Sequence, residues 1–282
     1  MLRKLSLLFG TFFTLVISFT HLHIVKGLWI IPVTFIIGYV GFIVFFFTFC
    51  WIISLFISFK KEYKKHPKFF FVLLNLVEGY IINLFRIKLV VKDYNLVPKD
   101  QKYLVVFNHR SLADPIIISS ILKRDKVVHI SKPENFKAFI AGKYIHRCGY
   151  LAINRDNDRQ ALETILKCID YIKKQEFSLG VSPEGTRNKV SDNSLLPFKP
   201  GMFKIATKSN APIVAATIKN SEKIIKNFPF KQTVVYVDFV KVIYPEEYVG
   251  KTTMEISNMV RSLMNNDLGY PDDVIKNIDT TE

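Results

Sequence analysis

The stretch KYLVVFNHRSLADPIII, residues 102–118, decides how the larger part of the chain folds. It opens with an apolar run of strand type and closes with a run that is apolar enough for a helix. In between, Ser111 and Asp114 have the S-x-x-D spacing of a helix start, and the proline that follows suits a first helical turn. We therefore expect a strand that ends at Asn108, a loop that carries His109 and a helix that begins near Ser111 to Asp114.

Short apolar runs alternate with helical patterns through the chain from residue 99 onward. Further predicted strands are 127–131, 150–154, 177–181, 212–218 and 234–244. Predicted helices are 112–123, 158–175, 201–209 and 252–264. This alternation predicts an α/β domain with a mostly parallel sheet flanked by helices, and sites in such sheets gather at the carboxyl ends of the strands.

The amino-terminal part has the composition of a membrane segment. Residues 5–25 form one apolar run, and residues 28–59 form a second without Asp, Glu, Lys or Arg. Because a spanning helix needs about 20 apolar residues, we expect a membrane-embedded helical hairpin over residues 1–60. A hairpin that dips into one leaflet fits equally. A cleaved signal peptide is the alternative for the first run, but no alanine precedes Ala113, so an A-x-A cleavage site is absent.

The formal net charge of +15 favours an anionic partner. Beside so long an apolar segment we expect a membrane surface, and no signature of nucleic-acid binding is present. Basic residues flank both ends of the hairpin, whereas only Lys26 lies in its turn. The positive-inside rule then places the rest of the chain on the cytoplasmic side of the cell membrane. The flanking residues are Arg3, Lys4, Lys60, Lys61, Lys64, Lys65 and Lys68.

A third apolar stretch, residues 69–91, is interrupted by polar and charged residues. It is typical of an interfacial helix, and the first helix of the soluble core is an equal alternative. The predicted organisation is a hairpin over 1–60, an interfacial helix and linker over 61–98, and an α/β domain over 99–282. The three cysteines form no CxxC pair and no zinc spacing, so they indicate no zinc site. We expect no metal or other cofactor.

His109 and Asp114 are the candidate catalytic pair. On one continuous helix their spacing would separate them by roughly 140°, so a facing pair needs a turn between them. A neutral imidazole can take a proton from a bound hydroxyl, and a carboxylate on its other nitrogen fixes the tautomer. The hydroxyl could then attack a carbonyl carbon such as that of a thioester. Alternatively, Asp114 only caps a helix and His109 is a polar loop residue.

The segment VSPEGTRN, residues 181–188, also follows a predicted strand. Gly185 permits close backbone approach, Thr186 offers a hydroxyl, and Arg187 can grip phosphate with two hydrogen bonds. Glu184 can accept bonds from a glycerol hydroxyl or hold the loop. A tight turn with a solvated arginine is the alternative.

Two further segments each supply a cation. GYLAINR ends a predicted strand at Arg155, and LPFKPGMFKIA places Lys199 just before a predicted helix. Lys199 could neutralise a phosphate or an anionic carrier, or it could face solvent.

From about residue 102 to 219, the order and spacing of these segments resemble the 1-acylglycerol-3-phosphate acyltransferases, a family of glycerophospholipid acyltransferases. The resemblance implies catalysis by the H-x4-D pair His109 and Asp114 and phosphate contact by Arg155. It also implies acceptor binding by the third block, Glu184, Gly185, Thr186 and Arg187. Two positions depart from the family pattern: Ser182 stands where Phe is common and Ala215 where Pro is common. The resemblance implies that the block containing Ala215 shapes the acyl side, so donor preference is the least defined property.

The resemblance implies transfer of a fatty acyl group from an acyl carrier protein or coenzyme A thioester to the sn-2 hydroxyl of lysophosphatidic acid. The product would be phosphatidic acid in phospholipid biosynthesis. We expect direct transfer, because no G-x-S-x-G nucleophile motif occurs. The alternatives are acylation of glycerol 3-phosphate or another lysophospholipid, and a non-catalytic membrane-anchored module that binds anionic lipid.

Overall fold

The structure is a computed structural model that describes residues 1–21, 30–61, 63, 66–154, 157–189 and 194–269. The α-helices are α1 (Leu2–His21), α2 (Ile30–Leu55), α3 (Lys68–Leu84), α4 (Asp114–Ile121), α5 (Ala141–Arg147), α6 (Asp158–Lys173), α7 (Lys204–Ser209), α8 (Ile224–Asn227), α9 (Pro245–Tyr248) and α10 (Thr253–Leu268). The strands are β1 (Ile87–Lys92), β2 (Leu104–Phe107), β3 (Val127–Ser131), β4 (Leu151–Ala152), β5 (Ser178–Val181), β6 (Ile213–Lys219) and β7 (Thr233–Ile243). The chain divides into two compact units, Met1–Asn83 with Phe136–Gly149, and Leu84–Asn135 with Tyr150–Glu282.

The first unit begins with the predicted pair of apolar helices. α1 and α2 run antiparallel, with the rings of Phe9 and Phe42 5.4 Å apart. The helices approach so closely that a Cβ on Gly38 would lie 2.9 Å from the Cβ of Phe13. Among the described residues, α2 is the one helix long and apolar enough to cross a membrane. The turn between the two helices lies outside the described residues.

The remaining helices of the first unit pack against α2. The hydroxyl of Tyr144 in α5 donates to the carbonyl of Cys50 over 3.0 Å, and Lys143 Nζ donates to the carbonyl of Ser54 over 2.9 Å. Leu73 of α3 lies buried in the same cluster. These contacts join residues 141–147 to the amino-terminal helices, although they are distant in sequence.

The second unit is built on a sheet of seven described strands in the order β1-β7-β6-β2-β5-β3-β4. Every neighbouring pair is parallel except β6 and β7, which run antiparallel. α6 packs on β5, and α10 packs on β6 and β7. The predicted α/β class with a mostly parallel, helix-flanked sheet is therefore confirmed.

Strand β1 corrects the prediction of one helical stretch over residues 69–91, which was wrong from Ile87 onward. α3 ends at Leu84, and Arg86 takes a positive φ of 53°, which a continuing helix cannot contain. The Arg86 carbonyl then accepts from the amide of Thr233 over 3.2 Å, and β1 continues in parallel register along β7. Pairing with a strand that lies 146 residues later in the chain therefore outweighs the local apolar pattern that predicted a helix.

The middle of the sheet sets the position of the polar loops. β2 is buried at all four positions, and β5 and β6 flank it in parallel. Parallel strands end at one edge, so the segments after Phe107 and Val181 emerge side by side. These are the segments that contain the two main sequence motifs.

Candidate active site

The imidazole of His109 meets the carboxylate of Asp114 at the end of β2. His109 Nδ1 lies 3.1 Å from Asp114 Oδ2, and the same oxygen accepts the backbone N–H groups of Arg110 and Ser111 at 2.7 Å each. The Asp114 side chain is fully buried, whereas that of His109 is 21% exposed. A carboxylate can only accept, so the proton lies on Nδ1 and Nε2 is left as a base. The expected turn between the two residues is present.

Glu184 is buried, and both of its carboxylate oxygens bind backbone. Oε1 accepts the N–H of His109 over 2.8 Å, and Oε2 accepts the N–H of Leu196 over 3.1 Å. Burial raises the pKa of the Glu184 carboxyl, while the two N–H groups act in the opposite direction. Of the two roles that the sequence left open, this geometry favours holding the loop.

Two asparagines that the sequence analysis did not single out anchor the same loops. Asn108 exchanges two hydrogen bonds with the backbone of Ile218, of 2.9 and 2.7 Å. The Asn188 N–H donates to the carbonyl of His109 over 2.7 Å, and its side chain donates to the carbonyl of Ser194. Their positions in the sequence could have identified both residues, because Asn108 directly precedes His109 and Asn188 directly follows Arg187.

A pocket of about 60 Å³ opens at the carboxyl ends of β3 and β5. Its lining combines apolar side chains with one cation: Ile130, Ile153, Val181, Ser182, Pro183, Gly185, Lys199 and Met202. Gly185 has a φ of 75°, a conformation that favours glycine, and the N–H of Lys199 donates to the Pro183 carbonyl over 2.9 Å. Two residues of the predicted binding set, Gly185 and Lys199, therefore share one pocket.

Thr186 and Arg187 are exposed and lie in the loop between the pocket and the asparagine that binds His109. Arg155, the predicted phosphate contact, lies outside the described residues. The structure thus brings His109, Asp114 and Glu184 into direct contact. It leaves Arg187 as an exposed cation on the neighbouring loop.

The two departures from the family pattern lie in different surroundings. Ser182 lines the pocket. Ala215 is fully buried in the middle of β6, paired with Val106 on one side and Lys241 on the other. Only the Ser182 departure therefore alters the lining of this pocket.

A second histidine, His129, is buried in the sheet near the candidate site. Its Nε2 lies 2.9 Å from the hydroxyl of Ser119 in α4, which is also 3.3 Å from the hydroxyl of Tyr150. Burial lowers the pKa of His129 to about 4, so the ring is neutral near pH 7. Within the described ranges, no group of three or more His, Cys, Asp or Glu side chains could hold a metal ion.

Comparison with known proteins shows which families contain a similar sequence around this site. The Acyltransferase family matches residues 88–219, which contain both motifs and the pocket. The chain is 29% identical over 177 residues to the 1-acyl-sn-glycerol-3-phosphate acyltransferase of Saccharomyces cerevisiae, covering 62% of this chain and 57% of the relative. It is 32% identical over 142 residues to the human alpha enzyme of that name, covering 50% and 49%. The chain is therefore similar to acyltransferases over these residues. It spans about half the length of these curated relatives.

A solved structure extends the likeness in fold beyond residues 88–219. The crystal structure of the 1-acyl-sn-glycerophosphate acyltransferase from Thermotoga maritima superposes with a TM-score of 0.60 at 20% identity. The match covers 95% of this chain and 96% of the other. At this identity the likeness concerns the fold alone.

Proposed function

We propose that the protein transfers a fatty acyl group from a thioester to the sn-2 hydroxyl of 1-acyl-sn-glycerol 3-phosphate, which yields phosphatidic acid. One observation carries the proposal: His109 Nδ1 and Asp114 Oδ2 are 3.1 Å apart at the end of β2, inside the region that matches the family. Relatives that share this region are named for that reaction.

The pair supports a general-base mechanism with direct transfer. Nε2 of His109 takes the proton of the acceptor hydroxyl while its oxygen attacks the thioester carbonyl carbon. Asp114, held by two backbone N–H groups, stabilises the imidazolium that forms. The tetrahedral intermediate then expels the thiolate, which takes the proton back from the imidazolium. The products are an ester and a free thiol.

The cations at the pocket and on its loop would hold the acceptor's phosphate. Lys199 supplies charge at the pocket, and Arg187 supplies it on the adjoining loop, where a guanidinium can bind phosphate with two parallel hydrogen bonds. We keep Arg155 as a third phosphate contact and Gly185 and Thr186 as backbone and hydroxyl contacts. Glu184 instead positions the loop that carries the base.

The family resemblance suggests the donor, whereas charge and composition suggest the location. We propose that the donor is a fatty acyl thioester of acyl carrier protein or coenzyme A. The lysolipid acceptor would reside in the bilayer that holds the amino-terminal hairpin. The basic residues that flank the hairpin favour the cytoplasmic side of the cell membrane for the reaction.

The test is an in vitro assay of the purified full chain with radiolabelled acyl thioester and lysophosphatidic acid. We expect His109→Ala to lower the rate by at least ~100-fold, the usual contribution of a general base. The control is His146→Ala, a partly buried histidine of the other unit, which should leave the rate unchanged.

The same assay separates the alternatives. Undiminished turnover by His109→Ala would remove the enzymatic mechanism proposed here. A clear preference for glycerol 3-phosphate, or for another lysophospholipid in an acceptor panel, would replace lysophosphatidic acid as the substrate. Absence of turnover with every acceptor, together with binding of anionic vesicles, would favour the non-catalytic module.

A further inference from the structure

We propose that residues 223–231, KIIKNFPFK, form a second membrane contact that enters the headgroup region of an anionic bilayer. We call this segment the Phe230 loop. Phe230 is 89% exposed, the highest value among the large apolar side chains described, and Ile225 is 70% exposed. Phe228 adds a third apolar side chain, 38% exposed. Such concentrated apolar exposure within a short segment marks an interaction site.

The Phe230 loop is held in place by its surroundings. Arg86 Nη1 lies 3.2 Å from the carbonyl of Phe230 and 3.4 Å from that of Pro229. The ring of Phe228 lies 4.7 Å from that of Phe85. The base of the loop is closed by a 2.8 Å hydrogen bond from the Lys231 N–H to the carbonyl of Asn227. The exposed side chains therefore project from a turn that hydrogen bonds and a ring contact hold in place.

The charge of the loop matches an anionic lipid surface. Lys223, Lys226 and Lys231 are exposed, as is the supporting Arg86, and no Asp or Glu occurs from residue 223 to 237. Basic residues near an anionic leaflet are attracted to it, and aromatic side chains favour the interfacial region. Exposed apolar side chains beside basic residues are typical of segments that bind the membrane interface.

A bilayer suits this segment better than a protein partner. A stable protein interface buries about 800 Å² on each partner, whereas the loop offers three apolar side chains on nine residues. Single apolar side chains can each enter the lipid interface without a matching partner surface. The inference does not depend on the catalytic assignment, because it uses no residue of the candidate active site.

The experiment labels the full chain at Phe230→Cys with a polarity-sensitive fluorophore. The emission of the label is then measured in two kinds of vesicle, one of mixed phosphatidylcholine and phosphatidylglycerol and one of phosphatidylcholine alone. The three native cysteines are buried, so the unsubstituted chain reports background labelling. The matched control is Glu163→Cys on α6, whose side chain is 62% exposed. The second probe is Ile225→Cys.

We expect the labels at 225 and 230 to shift their emission to the blue in anionic vesicles. Lipids brominated in the acyl chain should quench both labels several-fold more than the label at 163. Lys226→Gln with Lys231→Gln should reduce that quenching. Equal quenching at 163 and at both loop positions would overturn the proposal. So would a blue shift at 225 and 230 that occurs only when acidic acyl carrier protein is added.

Discussion

At the scale of single residues, the main feature of the candidate site is the set of hydrogen bonds that hold His109, the proposed base, and its partner Asp114. The Asp114 carboxylate is oriented by backbone N–H groups of the loop that it closes, and the backbone of His109 is held by Glu184 on one side and Asn188 on the other. The sequence predicted that His109 and Asp114 face each other. It could not show that Glu184 binds backbone, because that contact joins segments 75 residues apart.

Glu184→Gln tests whether this residue holds the loop or binds substrate. The amide nitrogen of Gln would face a backbone N–H, and a buried unsatisfied donor costs about 1–3 kcal/mol. We therefore expect a lower Tm and a kcat lowered by ~10-fold, with little change in KM for lysophosphatidic acid. Circular dichroism and steady-state kinetics measure the three quantities. A raised KM with unchanged Tm would instead assign Glu184 to the acceptor.

Arg187 and Lys189 offer a matched pair of exposed cations on one loop. If Arg187 binds the acceptor's phosphate, Arg187→Ala should raise KM for lysophosphatidic acid by roughly 10-fold, because a hydrogen bond to a charged group contributes about 1.5–3 kcal/mol. Lys189→Ala should leave KM within about two-fold, since an exposed charge without a bound partner contributes little. Equal effects of both substitutions would indicate general attraction of the anion and not a specific contact.

At the scale of elements, local patterns predicted most of the strands and helices. Residues 127–131 form β3 as predicted, and the predicted helix over 158–175 is α6, which ends at Lys173. Strand β1 was missed because its apolar residues continue the pattern of α3. Only the positive φ of Arg86 separates the two elements. The strand order and the antiparallel β7 also could not be predicted, since both depend on pairing between distant segments.

The contact between β3 and β5 provides a sharp test of packing under the site. His129 pairs with Gly180, and a Cβ on Gly180 would clash with Nδ1 of the His129 ring. Gly180→Ala should therefore lower stability by about 1–3 kcal/mol, the usual cost of overpacking. The control is Gly201→Ala, where no atom lies within 4 Å of the added Cβ.

A double-mutant cycle isolates that clash. In a His129→Ala background the ring is gone, so Gly180→Ala should cost less than in the natural chain. Thermal unfolding followed by circular dichroism gives the four Tm values. Additive effects of the two substitutions would mean that the ring is not what excludes a side chain at Gly180.

At the scale of the whole molecule, the two units interleave in sequence. Residues 136–149 belong with the amino-terminal helices, whereas the segments before and after them belong with the sheet. The sequence suggested a linear order of hairpin, linker and α/β domain. That linear order did not include this insertion. Tyr144 and Lys143 bind α2 through hydrogen bonds to residues about 90 positions earlier in the chain, and local sequence patterns do not indicate such distant contacts.

The buried His129 links the stability of the molecule to pH. Burial lowers its pKa from 6.5 to about 4, so between these values the unfolded chain binds a proton that the folded chain excludes. Stability from this residue is therefore complete above about pH 6.5 and declines as the pH falls toward about 4. At about pH 5 the loss is about 2 kcal/mol, or roughly 5 °C in Tm.

His129→Gln removes the titrating group and keeps a polar side chain beside Ser119. Far-ultraviolet circular dichroism in detergent, from about pH 7 to about pH 5, should show a smaller decrease in Tm for this variant than for the natural chain. Burial also raises the pKa of the Glu184 carboxyl, so the quantity that decides is the difference between the slopes of Tm against pH for the two proteins. Parallel Tm curves would mean that His129 takes up its proton as readily in the folded protein as in the unfolded chain. The conclusion that burial keeps the His129 ring neutral would then be wrong.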